Sequence, residues 1–426
     1  MLTDWIHWLS SVPPSELILL LAPLIFLDVV RYSCGSLGGW LCDISLDLYQ
    51  FVCGEKSTSH QHCPSVCAII ACMNEADTIG HTLKSLWGSY PRLEIIVVDD
   101  GSHDGMAEVA QGFAREHDGV LVLRKPRRGG KSSALNFALP FTQADIIVGV
   151  DGDSHLVTDG IWEIVQPFAD PKVGAVSGTV IARNPFTNLV TWLQALEFLR
   201  CIFLGRMFAS KLGILSIVSG AFGAFRREAI QRVRGWDVGP GEDGDLVLRL
   251  RKGGYNIVFA PYAQCLTNLP RSWWQLIKQR RRWEWAVMTF ECRKHIDMAN
   301  IFSPNFRWSN FFLMVDRWLY NVVLLYAFWG YALWLSFHWH ENMGNILLLY
   351  YLSYVALDVM QLGLILYYSN DRRRDAVIGL ILPLMPFYHL MQRAVSLWAV
   401  TEEMLTRRSF QDSFVPEHVR QVTWHW

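Results

Sequence analysis

The sequence predicts an α/β domain built on a mixed, mostly parallel sheet and inserted between transmembrane and interfacial helices. Three observations carry this. Half of the residues (51%) are hydrophobic and only 18% are charged, which is apolar for a soluble chain of 426 residues. Long apolar stretches lie near both ends. Between them, short apolar runs alternate with amphipathic, glycine-punctuated segments, the pattern of βαβ units.

The first apolar stretch, LILLLAPLIFLDVV between Glu16 and Arg31, is long enough to cross a bilayer once its flanks are added. A cleavable signal peptide is the rival reading, but no basic segment precedes the stretch and no small-residue cleavage site follows it. From Ser65 to Tyr262 come VCAII, LEIIVVDD, VLVLRK and DIIVGV, with helical patterns between the first three, so a parallel sheet is expected with its acidic clusters at the carboxyl ends of strands. After Pro270 the chain turns amphipathic and then apolar again. Spans are expected near 311–337 and 344–368. The stretch near 377–400 holds Pro383, Pro386 and Arg393 between basic clusters at 372–374 and 407–408, which favours a re-entrant or interfacial segment over a full crossing. The expected organisation is a membrane segment (1–40), a linker (41–64), a cytosolic catalytic domain (65–270), amphipathic helices (271–310), a membrane and interfacial region (311–400) and a tail (401–426).

Charge and cysteine content exclude some classes of function. With 38 basic and 39 acidic residues there is no global attraction to nucleic acid. The nine cysteines form no CxxC pair, so they read as reduced thiols and no zinc site is expected.

Four clusters carry chemistry. Asp99 and Asp100, at the end of VVDD and before Gly101, can accept hydrogen bonds from a nucleobase and a ribose; the same residues also suit an ordinary turn. Asp151 and Asp153 flank Gly152 at another strand end, where an Asp-x-Asp turn can hold Mg²⁺ or Mn²⁺ against a diphosphate or stand as a solvated turn. Glu242, Asp243 and Asp245 open an amphipathic helix. Helix capping accounts for one or two of these carboxylates, and a general base for an attacking hydroxyl accounts for another, Asp243. Finally, Gln279, Arg282 and Trp283 share one face of a helix at i, i+3 and i+4. Arginine there can bind a diphosphate and tryptophan a sugar ring, or both can anchor the helix in a lipid interface.

In order and spacing, CMNEADTIGHTLKSL, VVDDGS, RGGKSSALN, VDGD, SGAFGAFRRE, GEDGDL and QRRRW together resemble the processive branch of family 2 glycosyltransferases, which includes cellulose, hyaluronan, chitin and poly-N-acetylglucosamine synthases. The resemblance implies a GT-A domain. It places Glu75, Asp99, Asp100, Lys131, Asp151 and Arg282 at the nucleotide sugar, Asp151 and Asp153 at a Mg²⁺ or Mn²⁺ ion, Asp243 as the base, and Gln279, Trp283 and Glu242 at the acceptor. It further implies inverting polymerisation of UDP-glucose or UDP-N-acetylglucosamine into a β-linked polysaccharide in the inner or plasma membrane, with the catalytic domain cytoplasmic. Transfer of a single sugar to a lipid or short acceptor, and a catalytically inactive receptor or scaffold, are the alternatives. Gly241 departs from the family, which commonly has Thr there, as does Ala71, where Pro is frequent. Three or four apolar segments are few for an export channel, so a homo-oligomer or an accessory subunit is expected. A fused cyclic-dinucleotide module after Arg408 is not.

Overall fold

A computed structural model describes residues 2–53, 62–237, 241–304, 306–412 and 415–423. The chain divides into two compact units, Met1–Lys56 with Asp316–Trp398, and Ser57–Val315 with Ala399–Trp426.

The second unit is built on one eight-stranded sheet. Its strands are β1 (Val66–Cys72), β2 (Leu93–Asp99), β3 (Val120–Arg124), β4 (Ile146–Asp151), β5 (His155–Leu156), β6 (Val173–Ala182), β7 (Phe222–Arg226) and β8 (Asn256–Thr267). Their spatial order is β3-β2-β1-β4-β7-β6-β8-β5. β1, β2, β3 and β4 run parallel and β6 pairs parallel with β8, whereas β7 lies antiparallel between β4 and β6. The sheet is therefore mixed and mostly parallel. Strands covered by helices on both faces read as continuous apolar runs rather than alternating ones, and β6 is buried at every position.

Chain direction fixes where the ligand crevice lies. After β1 the chain winds outward through β2 and β3, then returns to place β4 on the other side of β1. That reversal opens a crevice at the carboxyl ends of β1 and β4. Register brings Cys72 beside Asp99 and Ala71 beside Asp151 there. Five of the helices in this unit bear on the crevice: α1 (Ala76–Leu86), α2 (Met106–Glu116), α3 (Lys131–Ala138), α4 (Glu242–Lys252) and α5 (Trp273–Ala286). α5 starts where the Ser272 side chain accepts from the Gln275 N–H, satisfying one of the free donors of its first turn.

Outside the sheet the chain has helices long and apolar enough to cross a membrane. Pro14–Tyr49, Trp308–His338 and His340–Tyr368 meet that criterion, and Arg372–Gly379 with Leu382–Thr406 forms a fourth if this pair, bent by 41°, is one span. The bend falls beside Pro383, whose ring cannot continue a helix. Arg393, whose charge argued for an interfacial segment, is satisfied inside its own unit: it pairs with Asp28 at 2.5 Å and donates to the Tyr354 hydroxyl at 2.7 Å.

Candidate active site

The two glycine turns at the crevice set its floor. Gly101 (φ +88°) and Gly130 (φ +83°) adopt left-handed or extended positive-φ backbone that side chains resist. Between them, Asp100 accepts from the Gly129 N–H at 2.9 Å, the Gly130 N–H at 2.6 Å and Lys125 Nζ at 2.5 Å. Both of its oxygens hold the RGGK loop, so Asp100, expected at the nucleotide, is seen here positioning that loop. Asp99 is fully buried. Its Oδ1 accepts from the Ser102 N–H at 2.7 Å, and Arg124 Nε lies 3.2 Å from Oδ2.

Lys131 sits at the centre of the crevice. Its Nζ donates to Asp151 Oδ1 at 2.6 Å and to the Gly220 carbonyl at 3.1 Å. Burial alone would lower its pKa; the Asp151, Asp243 and Glu242 carboxylates overcome burial and hold it raised. Close approach explains two glycines of the motifs. A Cβ on Gly220 would lie 2.3 Å from Asp243 Oδ2 and 2.7 Å from Lys131 Nζ, and one on Gly152 would lie 2.1 Å from Glu75 Oε2. The crevice leaves no room for either.

Acidic groups crowd around that lysine. Glu75 is pushed up to about 7 by burial and then by the Asp153 and Asp151 charges. Asp153 is raised by burial and by Asp151. Asp243 is pushed up to about 7, first by burial and then by Glu242, against the pull of Lys131. Arg206 also lowers it; this guanidinium, bonded to Ser177 at 3.0 Å and to Ser219, belongs to no motif noticed in the sequence.

The third carboxylate of the helix start has a different task. Asp245, fully buried, pairs with Arg249 at 2.8 Å, Lys294 at 2.9 Å and His295 at 2.8 Å. Burial would raise it, yet the His295 hydrogen bond and the two cations hold it well below the usual carboxylate range. It ties α4 to the segment after α5. Gly241 supplies the turn into α4 at φ +85°, and a Cβ there would lie 2.5 Å from Ala286 Cβ, which accounts for a glycine at this position.

On α5 each arginine of the basic run meets an acid. Arg280 pairs with Glu197 at 2.7 Å, Arg281 with Glu402 at 2.6 Å, and Arg282 with Asp412 at 3.1 Å. The Arg280 guanidinium also lies 4.0 Å from the centre of the Trp283 ring, and Trp283 is 44% exposed. Gln279 Oε1 is buried without a hydrogen-bond partner among the described residues. Glu402 and Asp412 lie in the C-terminal segment, to which the sequence assigned no role; a Cβ on Gly130 would come within 3.6 Å of Pro416 in that same segment.

The carboxylates here fit a divalent cation only if other oxygen ligands complete its shell. Among the described residues no three His, Cys, Asp or Glu side chains could by themselves hold a metal. Asp151 and Asp153 stand together, and Glu75 lies beside them with its Oε2 buried. Two carboxylates plus diphosphate oxygens and water form a common Mg²⁺ environment.

Comparison with known proteins gives the following. A family model described as "Glycosyltransferase like family 2" matches residues 64–286. Poly-beta-1,6-N-acetyl-D-glucosamine synthase of Staphylococcus epidermidis is 30% identical over 247 residues, 55% of this chain and 60% of that protein. The synthase of the same name from Staphylococcus aureus strain MSSA476 is 32% identical over 218 residues, 50% of this chain and 52% of that protein. The chain thus spans between half and three-fifths of these curated relatives. Among solved structures, the mannosyltransferase PcManGT from Pyrobaculum calidifontis, in complex with GDP-Man and Mn²⁺, is similar with a TM-score of 0.59 at 21% identity, covering 91% of this chain and 99% of that one. The likeness establishes the GT-A-like fold.

Proposed function

This chain belongs to the family 2 glycosyltransferases, and from that premise we propose that it is a membrane-bound synthase polymerising UDP-N-acetylglucosamine into a β-linked polysaccharide. The observation that carries this reading is the grouping of Asp151, Lys131 and Asp243 in one crevice, donor-side carboxylate and acceptor-side carboxylate on either side of one ammonium. The choice of N-acetylglucosamine over glucose follows the relatives, which are named for that sugar.

In this mechanism the nucleotide lies at the carboxyl ends of β1, β2 and β4, against Glu75 and Asp99. Asp151 and Asp153 would hold Mg²⁺ or Mn²⁺, which when bound supplies positive charge to the departing diphosphate. Lys131 and Arg282 add charge at the same diphosphate. Asp243 takes the proton of the acceptor hydroxyl as that hydroxyl attacks the anomeric carbon. A base poised near 7 suits the work, because it is substantially ionised at neutral pH and still basic enough to accept the proton. Attack opposite the leaving diphosphate inverts an α-linked donor to a β-linked product. Trp283 offers a flat face to the acceptor sugar, with Gln279 and Glu242 beside it. Repeated use of that platform makes the reaction processive.

The test is incubation of membranes containing the protein with labelled UDP-N-acetylglucosamine, UDP-glucose and GDP-mannose, followed by digestion of the product with linkage-specific hydrolases. A long polymer drawn from UDP-N-acetylglucosamine is expected. Single-sugar products, or incorporation only from another donor, overturn the reading.

A further inference from the structure

The segment that joins the catalytic unit to the span at Trp308 carries an apolar tip. Phe302 is 88% exposed and Ile301 54%, and Ile296 at the start of the same segment is also exposed. Large apolar side chains this open are costly in water, and two adjacent ones on a well-bonded turn call for a covering surface.

The tip is held, not loose. The Phe302 N–H donates to Asn300 Oδ1 at 3.0 Å, the Ser303 N–H to the Asn300 carbonyl at 3.1 Å and the Phe306 N–H to the Ser303 carbonyl at 3.0 Å. Behind it, Met298 and Ala299 pack into a core cluster with Leu248, Phe290, Leu313 and Met314. Further along the chain an aromatic cluster opens the next helix. Phe306 meets Trp308 at 5.2 Å between ring centres, and Trp308 stacks on Phe312 at 6.0 Å, both of the latter being exposed. Trp308 is the first residue of a helix long and apolar enough to cross a membrane. Aromatic side chains favour the boundary between headgroups and acyl chains.

We propose that Ile301 and Phe302 form a wedge that enters the lipid surface beside the Trp308 span. The occupant is lipid because Phe302 lies only six residues ahead of the start of that span, and because Met298, just before the wedge, shares a core with Leu313 and Met314 of the span's first turns. Leu248, in the same core, belongs to α4, the helix whose first turn holds Asp243. The wedge thereby seats the base helix at a fixed depth from the lipid.

The full chain is reconstituted in nanodiscs of phosphatidylethanolamine and phosphatidylglycerol with a photoreactive benzophenone amino acid in place of Phe302. The same amino acid replaces Leu333, an exposed position within the span, as a positive control, and Glu228, an exposed polar position, as a negative one. After irradiation, mass spectrometry is expected to find phospholipid adducts at 302 and 333 and none at 228. Lipid adducts at 333 but none at 302 overturn the wedge, as does a protein adduct at 302, which would assign the patch to a second copy or another subunit. Loss of adducts at 333 as well overturns the membrane reading of the span and the wedge with it.

Discussion

Lys131 Nζ lies 2.6 Å from Asp151 Oδ1, so the carboxylate assigned to a divalent cation is held here by a cation of the protein itself. An ammonium at this distance competes electrostatically with any second cation at Asp151. The diphosphate of a donor offers the lysine another anion and so releases the carboxylate. Lys131→Met is therefore expected to tighten donor-free Mn²⁺ binding by roughly tenfold, about one pKa unit's worth of interaction, while weakening UDP-sugar binding. Electron paramagnetic resonance of Mn²⁺ with and without UDP measures both. Unchanged donor-free binding would leave Lys131 as a diphosphate ligand alone.

Arg282 and Asp412 pose a related question, since the diphosphate and Asp412 would share one guanidinium. Asp412→Asn keeps the shape and removes the charge. Donor affinity is expected to rise several-fold, by an amount in the range of ~0.5–1 kcal/mol for a partly exposed pair, whereas Arg282→Ala lowers it. Titration calorimetry with UDP reads both variants, and thermal unfolding confirms that the segment stays docked. Lower affinity in Asp412→Asn would mean that the pair positions Arg282 for the donor.

The strand ends were readable in the sequence because buried strands leave unmistakable apolar runs, and Asp99 and Asp151 follow those runs directly. The division of labour within each acidic cluster was not. Asp99 and Asp100 are adjacent, yet Asp100 faces a loop whose N–H donors come from Gly129 and Gly130. Asp243 and Asp245 are two residues apart, yet Asp245 meets Lys294 and His295, which arrive from beyond α5. The arginines of QRRRW likewise gave no sign of Glu402 and Asp412, more than 100 residues away. Periodicity records burial; it does not record which distant group arrives to neutralise a charge.

Asp245 anchors α4, and its loss is expected to act on stability more than on turnover. Asp245→Ala leaves Arg249, Lys294 and His295 without their shared anion, at a cost of about 3 kcal/mol or more. The pH dependence has a definite sign. Asp245 is depressed in the folded protein, so its stabilisation is present above the ordinary carboxylate pKa and disappears as pH falls through the lower folded value. His295 is also depressed, so the unfolded chain gains a proton that the folded one resists once pH drops below the ordinary imidazole value. The contribution of this network to thermal stability in detergent, read as the difference between wild type and Asp245→Ala, should therefore shrink in acid, whatever Glu75 and Asp243, which are raised in the folded protein, add with the opposite sign near neutrality. A profile of Asp245→Ala that parallels the wild type in acid would remove this network as the cause.

Asp243 gives the sharpest test of the chemistry. Asp243→Asn keeps the size of the side chain and removes its capacity to take a proton. Loss of a general base costs on the order of 10²–10⁴ in rate, and donor affinity should be retained because the base contacts the acceptor. Burial and Glu242 raise Asp243 to about 7, so wild-type turnover is expected to climb as pH rises through neutrality and the carboxylate ionises. The residual turnover of Asp243→Asn should lack that rise. Glu242 is the remaining carboxylate at this helix start, since Asp245 is committed to Arg249, Lys294 and His295. Turnover, UDP-sugar affinity and the pH profile are measured for Asp243→Asn and Glu242→Gln in detergent. Near-normal turnover in the first with a deep loss in the second would transfer the role to Glu242. A flat, depressed profile in Asp243→Asn alone would place the proton transfer at Asp243.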